Sequence, residues 1–300
     1  MKLRLATTIS DFDAYTDDPL DAIRYAHASG FDHLDYSFGA DFARRSHAYG
    51  ADWEKHIENV LRLADKLGCD FVQAHAPMGR PIVKDEHYED FIWCNLRAIE
   101  CCARLGIKNL VVHSGYAYDL TKEQCFERNR EFYEKLLPTA EKCGVNILTE
   151  NFNRMCVDRV YWVDNARDER ELIDYIGHPL FHGCYDAGHG NMNDMMADEA
   201  LRILGEHTYA LHVQDNFGDT DSHFAPFFGS LNLDALMHGL SDIGYDGYFT
   251  FEAGIMAPAY KRRRFDADKR LIQAPLHLKI QAEKLLHDIG EYILESYDAK

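Results

Sequence analysis

The sequence predicts one α/β domain over residues 1–300 with the (β/α)8 (TIM) barrel fold, and three observations support this. Strand-like apolar segments alternate with helix-like segments eight times along the 300 residues. This alternation predicts a parallel sheet covered by helices, and eight repeats favour a closed barrel. No Pro-, Gly- or Ser-rich linker divides the chain, and no Gly-x-Gly-x-x-Gly follows the first strand. The missing glycine motif removes the main reason to predict an open dinucleotide-binding sheet.

The predicted strands are short runs rich in apolar, β-branched and aromatic residues. In chain order they cover residues 3–9, 31–38, 70–76, 110–113, 147–152, 181–186, 209–213 and 248–252. The fifth strand, which contains Ile147-Leu148-Thr149-Glu150, shows the pattern that several share, because an apolar run leads to a polar side chain near its carboxyl end.

The predicted helices carry apolar residues three and four positions apart, and several end at a glycine. Asp18-Pro19 begins the first helix, which ends at Gly30. The later helices cover about residues 53–67, 92–103, 122–142, 169–176, 196–204, 233–243 and 276–297. Gly68, Gly106 and Gly144 follow the second, third and fourth helices, as expected of helix ends.

The charge of the chain bears on its partners. A formal net charge of −18 repels polyanions, so nucleic acid and anionic membrane surfaces are not expected partners. One basic run, Lys261-Arg262-Arg263-Arg264, has two interpretations, a solvated loop or a contact for an anionic substrate. No apolar run approaches the length of a membrane span.

The cysteines and the amino terminus indicate the compartment. The eight cysteines form no Cys-x-x-Cys pair, and most lie in apolar segments. The first residues resemble a strand rather than a secretion signal. We therefore expect a cytoplasmic protein with reduced thiols, and homo-oligomer formation remains open.

Metal-type ligands stand at the ends of four successive predicted strands. Glu150, Asp186, His212 and Glu252 end strands five to eight. Each alone has an ordinary explanation, such as a helix cap or a core histidine, but strand ends in a barrel meet at one mouth. Three carboxylates buried together require neutralisation. The set predicts one divalent ion, first Mn²⁺, with Mg²⁺, Co²⁺ or Zn²⁺ as alternatives.

Five further polar residues fall on the same predicted face of the barrel. They are His75, His113, His189, Asp221 and His223. We predict that they bind the substrate or orient the metal ligands. The loops that follow strands five, seven and eight would set the substrate. Their aromatic residues, available as apolar walls, are Trp162, Phe217, Phe224, Phe227 and Phe228.

Four short motifs carry a resemblance to a known group of proteins. They are Thr-Glu-Asn at 149–151, Asp-Ala-Gly-His at 186–189, His-Val-Gln-Asp at 212–215 and Phe-Glu-Ala-Gly at 251–254. Because these motifs occur in this order, the chain resembles the sugar isomerase/epimerase superfamily with a xylose isomerase-like barrel. The resemblance covers essentially its whole length. That superfamily includes ketohexose 3-epimerases, inosose dehydratases, hydroxypyruvate isomerases and endonuclease IV.

The resemblance implies specific roles for the strand-end residues. Glu150, Asp186, His212 and Glu252 would bind one divalent metal, and Glu150 and Glu252 would be the acid–base pair on opposite faces of a sugar carbon. The expected reaction is isomerisation or epimerisation of a sugar, sugar phosphate or inosose by proton transfer through a metal-stabilised enediolate. A lyase or dehydratase acting on a keto-sugar, inosose or glycoside is the alternative, since it would begin with the same proton abstraction.

The sequence departs from the ketohexose 3-epimerases at two positions. Those enzymes carry a glutamate where this chain has Cys156 and an arginine where it has Gly218.

Two other functions are less expected. An endonuclease IV-like enzyme would use nine metal ligands of types found here. However, His113 is followed by Ser-Gly rather than Pro-Gly, and DNA-reading basic loops are not evident. A non-catalytic binding subunit is disfavoured because all four predicted metal ligands are present, and their carboxylates would be costly at one mouth without a metal.

Overall fold

The computed structural model describes residues 1–153, 163–256 and 274–300. Its strands form one eight-stranded sheet in the order β7-β6-β5-β4-β3-β2-β1-β8, with parallel pairing between sequence neighbours and between β1 and β8. The strands are β1 Arg4–Thr8, β2 His33–Ser37, β3 Asp70–His75, β4 Asn109–Val111, β5 Asn146–Glu150, β6 Phe181–Asp186, β7 Thr208–His212 and β8 Tyr248–Phe251. The predicted (β/α)8 barrel is confirmed.

The two strands at the ends of the sheet order, β7 and β8, meet just beyond their paired residues. Val213 forms a parallel bridge with Phe251. The amide of Val213 donates to the Thr250 carbonyl at 2.8 Å, and the amide of Glu252 donates to the Val213 carbonyl at 3.2 Å. These bonds join β7 to β8 at the mouth of the barrel and hold the backbone of Glu252 beside the end of β7.

Helices alternate with the strands, as the sequence predicts. They are α1 Pro19–Ala28, α2 Gly39–Arg44, α3 Trp53–Leu67, α4 Tyr88–Leu105, α5 Lys122–Cys143, α6 Ala166–Ile176, α7 Ala187–Asn191, α8 Ala197–Leu204, α9 Leu233–Asp242 and α10 Leu276–Ser296. The short α2 and α7 are additions to the predicted set, as are the 3-10 turns Ile9–Phe12, His47–Tyr49 and Gly205–His207.

Local sequence explains the helix boundaries. The Thr121 hydroxyl accepts a hydrogen bond from the Gln124 amide, and the Gln124 side-chain oxygen accepts one from the Thr121 amide, a capping box that starts α5. Asn165 accepts from two amides of the first turn of α6, so this helix begins earlier than its predicted start at 169. Gly144 ends α5 with φ +63°, a left-handed conformation that glycine adopts without strain.

The barrel interior is layered. Val111, Leu148, Cys184 and Ala210 form a separate buried cluster. Each lies two positions before a polar residue of the mouth, and side chains two apart on a strand share a face. The apolar cluster therefore lies one layer below the mouth and supports the polar side chains above it. In the described part of the chain, no helix is both long and apolar enough to span a bilayer.

Candidate active site

Four side chains from successive strands converge at the mouth of the barrel. Glu150 ends β5, Asp186 ends β6, His212 ends β7, and Glu252 follows β8 directly. Each can offer one ligand atom, and these atoms all lie within 4.8 Å of one another. Glu150, Asp186 and His212 are almost fully buried, with relative exposures of 2%, 0% and 1%. The structure therefore brings together the four residues predicted as metal ligands, and we call them the acidic centre.

His212 makes contacts on both sides of its ring. Its Nδ1 lies 2.9 Å from Glu150 Oε1 and 3.6 Å from Glu252 Oε2. Its Nε2 lies 3.2 Å from Asp35 Oδ2, inside the barrel. A carboxylate on the far nitrogen fixes the ring orientation and leaves the near nitrogen to face the centre. Nδ1 is thus the atom of His212 placed for metal binding.

Asp186 has an oxygen without a hydrogen-bond partner. Its Oδ1 accepts a bond from the His189 amide at 2.6 Å, which caps α7. Its Oδ2 is buried and makes no hydrogen bond. Burial raises the pKa of Asp186 to about 7, with a further increase from the nearby carboxylates of Glu150 and Glu252. A divalent cation would satisfy the free oxygen and offset this repulsion, so the residues present fit a metal ion.

Opposing effects act on the charges of Glu150 and His212. Burial alone would raise the pKa of Glu150, but His212 and His113 outweigh it and hold the pKa well below its usual value. Burial alone would lower the pKa of His212, yet Cys184, Glu150 and Glu252 together raise it well above its usual value. Negative charge therefore dominates the surroundings of the imidazole, as expected at a site that attracts a cation.

Two of the predicted substrate-binding histidines lie on the β3–β4 side of the centre. His113 Nε2 is 2.7 Å from Glu150 Oε2 and 3.1 Å from His75 Nε2. His75 Nδ1 donates to the Ala76 carbonyl at 2.9 Å. Burial lowers the pKa of His113, which favours its neutral form. Both rings contact the same side of Glu150.

The other three predicted residues lie on the opposite side. His189 Nε2 is 3.4 Å from Asp221 Oδ2, and His223 Nε2 is 3.1 Å from Asp221 Oδ1. His223 Nδ1 donates to the Glu252 carbonyl at 2.7 Å, so this group touches the acidic centre. All nine polar residues singled out by the sequence thus surround one mouth, and their individual roles stay predictions.

The sequence did not single out four polar residues that lie near the acidic centre, namely Asp35, Gln73, Asn151 and Gln214. Gln73 donates to Asp35 Oδ2 at 2.9 Å and accepts from the Thr250 hydroxyl. Asn151 accepts from the Asp186 amide at 2.8 Å, and Gln214 donates to Asp221 Oδ1 at 2.9 Å. A signal for two of them existed, because Asp35 lies between Leu34 and Tyr36, and Gln73 lies between Val72 and Ala74.

The predicted aromatic loop residues have different surroundings. Phe217, Phe227 and Phe228 are exposed. Phe224 pairs with Asp215 in an antiparallel bridge, and its ring packs edge-on against Phe217. Trp162, Cys156 and the basic run Lys261-Arg262-Arg263-Arg264 lie outside the residues that the structure describes.

Comparison with curated proteins finds distant relatives. The uncharacterized protein MJ1311 of Methanocaldococcus jannaschii is 26% identical over 217 residues, which is 70% of this chain and 73% of that protein. The D-psicose 3-epimerase of Ruminiclostridium cellulolyticum is 25% identical over 46% of this chain and 44% of that enzyme. The fructoselysine 3-epimerase of Shigella flexneri is 24% identical over 52% of this chain and 55% of that enzyme. The chain thus matches about half the length of these two epimerases.

Solved structures share the fold along almost the whole chain. 3-Keto-D-glucoside 4-epimerase, YcjR, from E. coli superposes with a TM-score of 0.71 at 18% identity, over 96% of this chain and all of that one. An L-ribulose 3-epimerase superposes with a TM-score of 0.75 at 16% identity, over 99% of this chain and 96% of that one. At these identities the likeness concerns the fold alone.

The family assignment rests on a match to a sequence profile. The profile described as xylose isomerase-like TIM barrel matches residues 23–274, which include every strand from β2 to β8 and all nine polar residues of the mouth. This match confirms the resemblance carried by the four strand-end motifs. The chain belongs to the xylose isomerase-like TIM barrel family.

Proposed function

We propose that this protein is a metal-dependent sugar epimerase or isomerase that moves a proton at a carbon beside a carbonyl. The observation that carries the proposal is the convergence of Glu150, Asp186, His212 and Glu252 in one largely buried centre. The names of the relatives, which include psicose, fructoselysine and keto-glucoside epimerases, support a carbohydrate substrate.

The acidic centre would hold one divalent ion. Three carboxylates and one imidazole suit Mn²⁺ best, with Mg²⁺, Co²⁺ and Zn²⁺ as alternatives. When bound, the ion supplies positive charge that stabilises negative charge on substrate oxygens. The buried Oδ2 of Asp186, which makes no hydrogen bond, supports this assignment.

Glu150 and Glu252 are proposed as the acid–base pair. They stand at the carboxyl ends of different strands, β5 and β8, which β6 and β7 separate on the side where the barrel closes between β7 and β8. Glu150 is buried and both of its oxygens contact histidines, whereas the Glu252 side chain is 22% exposed. In this proposal one carboxylate takes the carbon-bound proton and the other delivers a proton to the opposite face. His75, His113, His189, Asp221 and His223 would hold the substrate hydroxyls.

The test is proton exchange in deuterated water. Candidate ketoses and inososes are incubated with the Mn²⁺-loaded protein, and NMR follows deuterium incorporation. We expect deuterium at one carbon, and we expect Glu150→Gln and Glu252→Gln each to slow exchange by about 10²–10⁴-fold, the usual contribution of a general acid or base. Glu206→Gln is the control, because Glu206 is an exposed carboxylate in the turn before the amino end of β7, at the opposite end of the strand from His212. Full exchange by both glutamine variants would refute the assignment, and loss of water from the substrate would identify a dehydratase.

A second candidate function has one specific observation in its favour. Two more groups of side chains can each gather ligand atoms within 4.8 Å, namely His75, His113 and Glu150, and His189, Asp221 and His223. An abasic-site endonuclease of the endonuclease IV type would use such groups to hold further zinc ions. Metal analysis separates the candidates, because we expect one ion per chain, whereas three zincs together with cleavage of abasic DNA would establish the nuclease.

We also propose that residues 1–300 form one domain that works in the cytoplasm. The amide of Leu3 donates to the Ala299 carbonyl at 2.6 Å, so the two ends of the chain meet. Among the described residues, seven cysteines are free thiols, and most are buried. Both observations agree with one folding unit in a reducing compartment.

A further inference from the structure

A large cavity adjoins the acidic centre on its β3–β4 side. Its volume is about 530 Å³, and the loops that follow β3 and β4 form most of its wall. His113 and Phe152 stand at its inner end, where His113 Nε2 lies 2.7 Å from Glu150 Oε2. A molecule that reaches Glu150 therefore has this space directly beside it.

Phe152 connects the cavity with the mouth. Its ring centroid is 5.2 Å from that of His113 and 4.9 Å from that of His189. The ring thus lies between two of the residues proposed to hold sugar hydroxyls. A group attached to the sugar would pass over the Phe152 ring as it enters the cavity.

The wall of the cavity is mostly apolar, although Arg80, Ser114 and Asp119 also line it, so it offers few partners to a sugar ring with no attached group. Met78, Pro81, Tyr116 and Tyr118 contribute apolar or aromatic surface, and Met78 and Tyr118 are 57% and 65% exposed. A free hexose carries a hydroxyl on nearly every carbon, and each one buried without a partner loses its hydrogen bonds to water. Apolar groups gain on leaving water for such a wall. The volume also lies within the ~300–1,000 Å³ typical of pockets for ligands larger than one sugar ring.

The packing of the two loops shows that the wall is firmly built. The Asn129 side chain accepts a bond from the Gly115 amide at 2.6 Å and donates to the Gly115 carbonyl at 2.8 Å. A Cβ on Gly115 would lie 2.8 Å from Pro81 Cγ, so the β4 loop and the β3 loop touch at this glycine. Tyr116 and Tyr118 then pack edge-on with ring centroids 5.5 Å apart. These contacts hold the β3 and β4 loops against each other along the wall of the cavity.

We propose that the substrate is a sugar bearing an aromatic or bulky alkyl group near its reacting carbons, and that this cavity holds that group. The proposal rests on the proposed function, because it takes the acidic centre as the place where the sugar reacts. It assigns substrate selection to Met78, Tyr118 and Phe152 on the β3–β4 side of the mouth.

The test compares ligands that differ only in the attached group. Two pairs are used with the Mn²⁺-supplemented full chain, 4-nitrophenyl against methyl β-D-glucopyranoside, and 1-O-phenyl-D-fructose against 1-O-methyl-D-fructose. Calorimetry measures affinity, and NMR in deuterated water follows exchange in the fructose pair. We expect at least one aryl compound to bind about tenfold or more tightly than its methyl partner, and Tyr118→Ala to reduce that ratio several-fold.

Tyr292→Ala is the matched control, because Tyr292 is 62% exposed, much like Tyr118, but lies on α10 and does not line this cavity. We expect it to leave the ratio unchanged. Equal affinities within both pairs, or an aryl preference that Tyr118→Ala does not reduce, would overturn the cavity proposal whether or not exchange occurs. A Tyr118-dependent preference supports it. The proposed function is judged separately by deuterium exchange across the ketoses and inososes.

Discussion

Asp35 contacts the acidic centre from inside the barrel wall. It is buried on β2, and its Oδ2 lies 3.2 Å from His212 Nε2 and 2.9 Å from Gln73 Nε2. Gln73 in turn is bonded to the Thr250 hydroxyl of β8. One carboxylate thus connects the ring of His212 with strands on the far side of the barrel, and it determines which ring nitrogen faces the other ligands.

We predict that Asp35→Asn weakens metal binding by about 10–100-fold, the usual cost of losing a carboxylate behind a ligating histidine. The asparagine keeps the size of the side chain but loses the charge that orients the His212 N–H. Titration with Mn²⁺ followed by calorimetry measures the effect. Asp32→Asn, at an exposed carboxylate before β2, is the control. An unchanged metal affinity in Asp35→Asn would show that the ring of His212 is held by other contacts.

At the scale of elements, the short helix α7 brings two parts of the site together. Asp186 caps it and His189 lies within it, while the Gly188 carbonyl accepts a bond from Asn216 at 2.8 Å. A Cβ on Gly188 would lie 2.0 Å from Cδ of Gln214, so the helix and the segment after β7 are in direct backbone-to-side-chain contact. The absence of a side chain on Gly188 leaves room for Gln214 in the position from which it donates to Asp221.

Gly188→Ala is therefore expected to destabilise the protein by about 1–3 kcal/mol, as overpacking does, and to weaken metal binding as Gln214 is displaced. Thermal unfolding and Mn²⁺ titration measure the two effects. Gly39→Ala in α2 serves as the comparison, because its added Cβ would meet only ordinary contacts, the nearest at 3.6 Å. Equal unfolding temperatures for the two alanine variants would contradict the expected clash.

Glu169 on α6 is an unusual carboxyl group, because it is buried where the helix packs against the sheet. Glu169 is fully buried, and neither of its side-chain oxygens has a hydrogen-bond partner. A Cβ on Gly183 of β6 would lie 2.6 Å from Glu169 Oε1, so the carboxyl group packs directly on the strand. Burial raises the pKa of Glu169 well above 4.5, and the charge of Glu150 adds to the shift.

This shift predicts a pH-dependent gain in stability for Glu169→Gln. A carboxyl whose pKa is raised by folding supports stability below its unfolded pKa, here 4.5, and loses that contribution as pH rises. At pH 7 the buried Glu169 must either carry an unpaired charge or bind a proton, and both cost stability that glutamine does not lose. Denaturant unfolding of the variant is thus expected to show a higher free energy of unfolding than the wild type at pH 7, and this gain shrinks towards pH 4.5. A gain of equal size at both pH values would rule out titration of Glu169 as its cause.

At the scale of the whole molecule, the net negative charge of the chain and the acidic centre both favour binding of a cation. The chain carries a formal charge of −18, and three of its carboxylates meet in the acidic centre. Without a cation these groups repel one another at short range, and a bound ion stabilises only the folded state, which holds them together.

Metal removal is therefore expected to lower the melting temperature. At a free metal concentration of 100 times Kd, binding adds about 2.7 kcal/mol to the free energy of unfolding. Calorimetry of the protein dialysed against EDTA, before and after addition of Mn²⁺, measures the change. Asp186→Asn should lose most of this response, because it removes a ligand while keeping the side-chain size. Identical melting curves with and without Mn²⁺ for the wild type would contradict binding at this site.

Much of the architecture followed from the linear pattern alone. Apolar runs and glycine stops predicted all eight strands and the main helices, because both elements are governed by short-range periodicity and capping. The four residues of the acidic centre could be singled out for the same reason, since a residue at the carboxyl end of a barrel strand must lie at the mouth. The fifth strand ends at Glu150 rather than 152, because its last backbone pair with β6 joins Glu150 to Cys184, and the Asn151 side chain then bonds to the backbone of Asp186.

Only the tertiary structure decided which side chains touch. The contact of Asp35 with His212 joins residues 177 positions apart, and the bridge from Val213 to Phe251 joins the two strands at the ends of the sheet order. Neither leaves a local signature, because each depends on how eight strands curve and pack in three dimensions. The cavity beside Glu150 has the same origin, since its wall forms only where the β3 and β4 loops meet at Gly115.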